Sequence, residues 1–223
     1  MWPSAAERCC NMLKANSVSN SVIKRLPRYY RFLGDLMSKG LYRISSKELS
    51  ERMGLTASQI RQDLNCFGEF GQQGYGYNIE MLQNEIGKIL GLVDTKKAIL
   101  IGAGHMGRAL AIHFDMTEQG FSLIGIFDKK QSLSGQTIQN LPIHNMDRLD
   151  EFCRENKPDI AILCIPKTEA YEVAETLAKL GVKGFWNFSH YDLSVDFPDL
   201  IVENVHLSDS LMTLCYNITH IND

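Results

Sequence analysis

The sequence predicts an α/β protein in which a small helical module precedes a doubly wound parallel sheet. Three observations predict this: two capping motifs open a pair of short helices, strands and helices alternate after residue 96, and the two halves differ in charge. Residues 1–97 carry 14 Lys and Arg against 9 Asp and Glu, a net charge of +5. Residues 98–223 carry 9 against 17, a net charge of −8. This division indicates that only the first half meets a polyanion.

The first 20 residues contain several Asn and Ser and lack the continuous apolar core of a signal peptide. Later segments are too short or too polar to span a membrane. The six cysteines form no C-x-x-C motif, so reduced thiols are expected. We therefore expect a frayed tail over residues 1–20, a cytoplasmic protein and no membrane partner.

A first helix is predicted from Ser21, because apolar side chains recur there at spacings of three and four with basic residues between them. Val22, Leu26 and Leu33 belong to its apolar face. Pro27 is expected near the first turn, where a helix tolerates proline. This helix opens a domain that we assign to residues 21–78.

Two capping boxes follow the first helix. Ser45-x-x-Glu48 begins one helix, which Gly54 ends, and Thr56-x-x-Gln59 begins the next. Two short helices across a tight turn form a helix-turn-helix, whose second helix enters the major groove of DNA. A plain helical bundle is the alternative that this pattern leaves open.

The segment from Phe67 to Tyr77 alternates aromatic residues and glycines around a polar tip, which predicts a two-stranded hairpin. Such a hairpin directly after a recognition helix is the wing of a winged-helix domain. Asn78 then caps a linker helix from Ile79 to Leu90, and linker and connection together span residues 79–95. The residues predicted to contact DNA are Ser46, Ser58, Gln59, Arg61, Gln62, Gln72, Gln73 and Tyr75.

The run Lys97–Gly107 predicts a buried strand that ends in a glycine turn and opens a helix. Gly102 permits the tight turn, Gly104 leaves the backbone open to a pyrophosphate, and Gly107 lets the helix pack closely. The free N–H groups at the helix start favour phosphate. A second apolar run ends in Asp128, an acid placed to accept hydrogen bonds from ribose hydroxyls. This spacing predicts a dinucleotide site.

Strand–helix alternation continues to Phe188 and predicts a Rossmann-type sheet over residues 96–204. Ligands of such sheets bind at the carboxyl ends of the strands, so Ile165–Pro166 and Asn187–Phe188 are predicted to border the nicotinamide. Packing alone explains Pro166 and Phe188 equally well. The predicted cofactor-binding residues are Gly102, Ala103, Gly104, His105, Met106, Gly107, Asp128, Ile165, Pro166, Asn187 and Phe188.

Six strings in this order resemble Rex, the bacterial family of redox-sensing transcriptional repressors. They are LPRYYRFL, SSKELSERMG, QIRQDLNCFGEFGQQGYGYN, IGAGHMGRALA, VKGFWNF and VENV. The resemblance implies a homodimer that binds a palindromic operator when NADH is scarce and leaves it when NADH rises, with NADH and NAD as cofactors. It also implies that residues 205–223 form a dimerisation helix exchanged between subunits. The apolar residues of that segment, Leu207, Leu211 and Leu214 among them, agree with this.

The chain departs from the usual pattern of the family at several positions. Gln62, Gln72 and Gln73 replace basic residues, so fewer phosphate contacts and weaker operator binding are expected. The family commonly has Tyr at position 113 and Asp at position 206, where this chain has histidines, whereas its Arg31 matches the partner of that Asp. The predicted switch and interface residues are Arg31, His113 and His206.

Two alternatives come from the glycine motif taken alone. One is an NAD-dependent oxidoreductase, but only a C-terminal segment remains to build a substrate site, and no catalytic triad, paired carboxylates or metal-ligand spacing is present in the sequence. The other is a CoA-binding module, which shares this type of fold. Asp128 favours a free ribose diol over the 3′-phosphate of CoA. We therefore expect no catalytic or metal-binding residues.

Overall fold

The computed structural model describes residues 18–68, 70 and 75–221. They form two compact units, divided between Val93 and Asp94. That division falls inside the predicted connection, and the finer domain limits stay predictions. Residues 1–17 of the predicted tail, and Gln72 and Gln73 of the predicted wing, lie outside the described residues.

The first unit is a small helical domain with a short two-stranded sheet. Its elements are α1 (Asn20–Ser38), β1 (Arg43–Ile44), α2 (Ser46–Met53), α3 (Ala57–Asn65), β2 (Tyr77–Asn78) and α4 (Ile79–Ile89). One core holds it together, built mainly from Leu26, Tyr29, Leu33, Leu49, Met53, Ile60, Leu64, Ile79, Leu82 and Ile86. Val22, Leu26 and Leu33, which the sequence placed on the apolar face of the first helix, are all buried.

The first predicted capping box is confirmed. The Ser45 side chain accepts from the Glu48 N–H, and the Glu48 carboxylate accepts from the Ser45 N–H. Gly54 ends α2 in the left-handed region at a φ of 64°, which glycine adopts without steric cost. The structure thus contains the two short helices and tight turn that the sequence predicted.

The second capping box and the position of Pro27 differ from prediction. Thr56 caps α3 by accepting from the Gln59 N–H, but the Gln59 amide turns away and donates to Asp63. Helix α1 begins at Asn20, one residue before the predicted start, and Pro27 lies about two turns inside it rather than near its first turn. There it removes one N–H donor from the helix, a cost that the packing of Leu26 and Tyr29 in the core offsets.

A buried carboxylate joins α1 to α3. Asp63 is fully buried, and Arg25 donates to both of its oxygens at 2.7 Å. The Tyr29 hydroxyl and the Gln59 amide each donate to one of the oxygens at 2.8 Å. Burial alone would raise the pKa of the Asp63 carboxyl, but these hydrogen bonds outweigh burial and hold the pKa below its ordinary value.

The predicted hairpin is paired differently at its described end. Tyr77–Asn78 pairs antiparallel with β1, in the register Arg43 to Asn78 and Ile44 to Tyr77. The sequence analysis did not predict β1, because two residues are too few to show a strand pattern. Gly76 makes this pairing possible, since a Cβ there would lie 2.6 Å from the Ile44 carbonyl oxygen.

The second unit is a seven-stranded sheet with helices on both faces. Its strands are β3 (Lys96–Ile101), β4 (Phe121–Asp128), β5 (Thr137–Ile138), β6 (Leu141–Asn145), β7 (Ile160–Leu163), β8 (Gly184–Asn187) and β9 (Ile201–Asn204). Its helices are α5 (His105–His113), α6 (Leu149–Asn156), α7 (Lys167–Lys179), α8 (Leu193–Asp196) and α9 (Leu207–Thr219). Strands β5 and β9 and helix α8 were not predicted.

The strand order is β5-β6-β4-β3-β7-β8-β9, and every pairing is parallel except that of β5 with β6. Without β5, this is the 3-2-1-4-5-6 order of the Rossmann fold, so the predicted fold class is confirmed. Alternate residues of β3 enter the two cores, Ile99 and Ile101 on one face and Ala98 and Leu100 on the other. The order reverses between β3 and β7, where such sheets bind their ligands.

Helix α9 is not packed against its own chain. None of its residues is buried, and Leu207, Leu211 and Ile218 are each more than three-fifths exposed. In the structure the helix does not fold back on the sheet. Among the described helices, none is long and apolar enough to cross a membrane.

The Asp63 cluster predicts an acid-sensitive fold. A carboxyl whose pKa is lower in the folded state stabilises that state above its unfolded pKa, about 4, and this stabilisation is lost as pH falls through the folded pKa. At neutral pH we expect Asp63→Asn to have a lower free energy of unfolding than the wild type, and this difference to shrink as pH falls below about 4. Urea denaturation followed by circular dichroism from pH 7 to 2.5 measures it. A difference that is independent of pH would contradict the role of the ionised carboxylate.

Candidate functional site

The glycine turn between β3 and α5 is held by close backbone packing. The Gly102 N–H donates to the Phe127 carbonyl at 2.8 Å, and Gly102 has a φ of 99°, which favours glycine. A Cβ on Gly102 would lie 2.4 Å from the Cys164 carbonyl oxygen, and one on Gly107 would lie 1.9 Å from the Gly102 carbonyl oxygen. Both positions therefore exclude any side chain.

Gly104 has a different environment. A Cβ there would meet no described atom within 4 Å, so this glycine is not required by packing. It is the N-cap of α5, no side chain of the described residues caps the helix, and its first turn contains no acid. The N–H groups at the start of α5 are therefore available to an anion, and Gly104 leaves the space before them open.

Asp128 lies at the carboxyl end of β4 beside this turn. One of its carboxylate oxygens accepts from the Ala103 N–H and the other from the Lys130 N–H, each at 2.8 Å. A carboxylate oxygen can accept more than one hydrogen bond, so both oxygens keep capacity for a ribose hydroxyl. The backbone contacts fix the carboxylate where the sequence predicted a ribose ligand.

Two basic residues support this end of the site. Arg108 donates to the Ala103 carbonyl at 2.9 Å and to the Gln136 side chain at 3.2 Å, and thereby braces the glycine turn. The sequence analysis missed Arg108, whose only signal was its position directly after Gly107. Lys129 forms an ion pair with Glu169.

The residues predicted at the nicotinamide end follow β7 and β8. Ile165 and Pro166 lead from β7 into α7, next to the strand that carries the glycine turn. The Phe188 ring packs edge-on against Trp186 at a centroid distance of 4.8 Å. Packing thus explains Phe188 as well as a ligand contact does, as the sequence already indicated.

Asn187 is buried and forms hydrogen bonds only within the protein. Its amide nitrogen donates to the Tyr191 carbonyl and to Asn204, and its oxygen accepts from the N–H and hydroxyl of Ser189. These four bonds hold the loop after β8. The predicted contact between Asn187 and a cofactor stays a prediction.

Two thiols lie beside the sheet: Cys153 is buried in a core, and Cys164 is partly buried and packs against one. Burial raises the pKa of Cys164 to about 12. Burial, together with the charge of Asp150, raises the pKa of Cys153 to about 11. The four described cysteines, Cys66, Cys153, Cys164 and Cys215, are free thiols.

In the first unit, α3 presents a polar face to solvent. Ser58, Arg61, Gln62 and Asn65 line a shallow open groove together with Cys66. Arg61 donates to the Ser46 hydroxyl at 3.0 Å, so two predicted DNA contacts from adjacent helices meet. Gln59 lies at the edge of this face, with its amide on Asp63.

The described end of the wing adds a basic residue that the sequence analysis missed. Tyr75 is 69% exposed, and the Arg43 guanidinium carbon lies 6.0 Å from the centroid of its ring. Arg43 is on β1, and its proximity to Tyr75 depends on the β1–β2 pairing, which has no local sequence signal. The arginine places a positive charge beside the predicted DNA contact.

The three predicted switch residues lie in different elements. Arg31 is exposed on α1, and His113 is the exposed last residue of α5. His206 is the N-cap of α9, and its Nδ1 lies 3.5 Å from Nδ1 of His190. The meeting of these residues in a dimer stays a prediction.

Comparison with protein families gives two matches, one in each unit. The model described as "Putative DNA-binding protein N-terminus" matches residues 17–65, and that described as "CoA binding domain" matches residues 93–191. A redox-sensing transcriptional repressor Rex of Clostridium perfringens is 51% identical to the chain, covering 94% of the chain and 98% of the relative. That of Caldanaerobacter subterraneus subsp. tengcongensis is 54% identical, covering 93% and 92%.

The chain belongs to the Rex family. Its structure also resembles crystal structures of RSP, a Rex-family repressor. RSP in complex with NAD⁺ and operator DNA matches with a TM-score of 0.85 and 52% identity over 91% of this chain and 93% of that one. RSP in complex with NADH matches with a TM-score of 0.84 and 49% identity over 91% and 95%. The Rex resemblance found in the sequence is confirmed.

The glycine turn predicts opposite effects for two similar substitutions. Gly104→Ala should leave the melting temperature unchanged and weaken NADH binding, because the added methyl group enters only the open space before α5. Gly107→Ala should lower the melting temperature by several degrees, because its Cβ collides with the Gly102 carbonyl. Calorimetric titration with NADH and differential scanning calorimetry test the pair. Equal NADH affinity in wild type and Gly104→Ala would contradict a phosphate position at this turn.

Proposed function

We propose that this chain is an NADH-responsive repressor that binds a palindromic operator through its first unit and NADH or NAD⁺ through its second. One observation carries this proposal: a dinucleotide-type glycine turn and an exposed helix-turn-helix face occur in a single chain of the Rex family. RSP, which is similar over nine-tenths of the chain, is known in complex with NAD⁺ and operator DNA. The protein acts in the cytoplasm.

The second unit binds the cofactor along the carboxyl ends of its strands. The pyrophosphate lies against the N–H groups of His105, Met106 and Gly107, where the helix dipole favours negative charge. Asp128 accepts the adenosine ribose hydroxyls. Ile165 and Phe188 border the nicotinamide, and the bound cofactor supplies the redox signal.

Asp128 favours NADH over NADPH, because the 2′-phosphate of NADPH would lie against its carboxylate. Of the two basic neighbours that could offset this repulsion, Lys129 and Lys130, the first forms an ion pair with Glu169. The same carboxylate keeps the ribose diol as the preferred ligand. This distinguishes NADH from CoA, the ligand suggested by the description of the second family model.

The first unit binds DNA with α3 in the major groove. Ser58, Arg61 and Gln62 face the bases or phosphates, and Ser46 supports Arg61 from the preceding helix. Arg43 and Tyr75 extend this surface at the wing. Because Gln62 is uncharged where the family usually has a basic residue, one phosphate contact is absent, and operator binding is weaker and less salt-dependent.

The functional unit is a homodimer formed through α9. Its exposed apolar side chains need a partner surface, and a second copy of the chain supplies one by exchange of the helix. His206, at the start of α9, then approaches Arg31 and His113 at the interface. Histidines in place of the Tyr and Asp of the family change how cofactor binding reaches the DNA-binding unit.

Operator binding with and without cofactor tests the whole proposal. Fluorescence anisotropy with a labelled Rex-type palindrome, at about 50 mM salt to compensate for the missing phosphate contacts, should show binding without cofactor and with NAD⁺, and release by NADH. CoA should have no effect. Failure to bind the palindrome, or release by CoA alone, would contradict the proposal. Hydride transfer between NADH and simple aldehydes would instead support an oxidoreductase.

The role of Asp128 predicts a change of cofactor preference. Asp128→Ala should weaken NADH binding and bring NADPH affinity close to that of NADH, because the repulsion of the 2′-phosphate is removed. Glu155→Ala, an exposed acid at the far end of α6, is the charge-matched control and should change neither affinity. Calorimetric titration of both variants with both nucleotides measures this. An unchanged preference in Asp128→Ala would show that another residue sets selectivity.

The exchange of α9 predicts dependence of the dimer on this helix. Deletion of residues 208–223 should convert the dimer to a monomer, because the apolar face of α9 is removed. Leu211→Glu in the full chain should have the same effect through charge repulsion and desolvation. Light scattering measures both. A dimer that persists after the deletion would place the interface elsewhere.

A further inference from the structure

The polar cluster around Asp63 connects the DNA-reading helix to the rest of its unit. On α3, Ile60, Asp63 and Leu64 face inward, whereas Ser58, Arg61, Gln62 and Asn65 face outward. Asp63 is thus on the side of the helix opposite the groove-lining residues. It cannot contact DNA itself, and its effect on DNA must act through the placement of α3.

Asp63 has saturated hydrogen bonding. Arg25 and Tyr29 of α1 and Gln59 of α3 donate four hydrogen bonds of 2.7 to 2.8 Å, two to each carboxylate oxygen. The Asp63 and Tyr29 side chains are fully buried, and the Arg25 side chain is 28% exposed. A bidentate arginine–carboxylate pair is the most directional ion pair in proteins.

Stability alone does not require this pair. Burying a carboxylate costs desolvation energy, and an apolar side chain at such a position is often as stable or more stable. Apolar packing tolerates small rotations of a helix, because it has no preferred direction. The four hydrogen bonds to Asp63 do not tolerate such rotations, since each requires a narrow range of distance and angle. Arg28 of α1 adds a hydrogen bond between helices by donating to the Met53 carbonyl at the end of α2.

We propose that Asp63 is a positioning residue for operator recognition, which fixes the rotation and register of α3 against α1 and thereby aims Arg61 and Gln62 at the bases. This inference rests on the proposed function, and it names the residue that lets the protein distinguish its operator from other DNA sequences. Base contacts depend on placement to a fraction of an ångström, whereas non-specific binding depends mainly on total charge. Loss of the Asp63 carboxylate should therefore reduce binding to the operator and spare binding to other DNA.

Asp63→Asn tests this, with Asp35→Asn as its matched control. Asp35 is exposed on α1, so both substitutions remove one negative charge from the same unit. Charge alone would strengthen binding of both variants to any DNA. We expect Asp35→Asn to keep the wild-type ratio of operator affinity to scrambled-duplex affinity. We expect Asp63→Asn to lower that ratio about tenfold, with scrambled-duplex affinity unchanged or slightly higher.

This ratio separates positioning from a loss of folded protein. Partial unfolding lowers the active fraction and weakens binding to both duplexes equally, so it leaves the ratio unchanged. If Asp63→Asn does not fold at the assay temperature, Tyr29→Phe replaces it, since it removes one of the four donors and keeps the ring; a fall of about threefold is then expected. A wild-type ratio in the folded variant would overturn the inference. A wild type that does not prefer the operator would overturn the proposed function itself.

Discussion

The second unit depends on the close approach of α5 to the turn that follows β3. With only 1.9 Å between a Cβ on Gly107 and the Gly102 carbonyl oxygen, the helix begins directly on the turn without any intervening side chain. This contact directs the first N–H groups of α5 toward the carboxyl edge of the sheet. It also brings the Ala103 N–H to Asp128, so one piece of backbone fixes both the open start of α5 and the Asp128 carboxylate.

Much of this site could be predicted because its signals are local. The glycines lie within six residues of one another, and at Gly102 and Gly107 the backbone leaves no room for a side chain. Asp128 ends a clear apolar strand, and the register of parallel strands carries that strand end to the glycine turn. The caps of α2 were predictable for the same reason. Ser45 and Glu48 are only three residues apart, and the cap at the other end depends on one residue, Gly54.

What the sequence did not show depends on contacts between distant residues. Asp63 and Arg25 are 38 positions apart, and neither has a local pattern that marks it as half of a buried pair. Gln59 has the spacing of a capping box, but its side-chain amide donates to the Asp63 carboxylate one turn later instead. A hydrogen bond to a charged, buried carboxylate is stronger than one to the backbone. The pairing of Arg43–Ile44 with Tyr77–Asn78 likewise joins two segments more than 30 residues apart.

Two thiols beside the sheet, Cys153 and Cys164, are kept in their protonated form by the surrounding protein. With pKa values of about 12 and 11, Cys164 and Cys153 are almost wholly protonated at neutral pH, and a thiol reacts with peroxide only as its thiolate. The two thiols are therefore less reactive toward oxidants than an exposed thiol of ordinary pKa. Cys164 lies directly behind the glycine turn, and its low reactivity leaves the packing of that turn largely undisturbed by oxidants. This part of the second unit is thus poorly suited to respond to peroxide through its thiols.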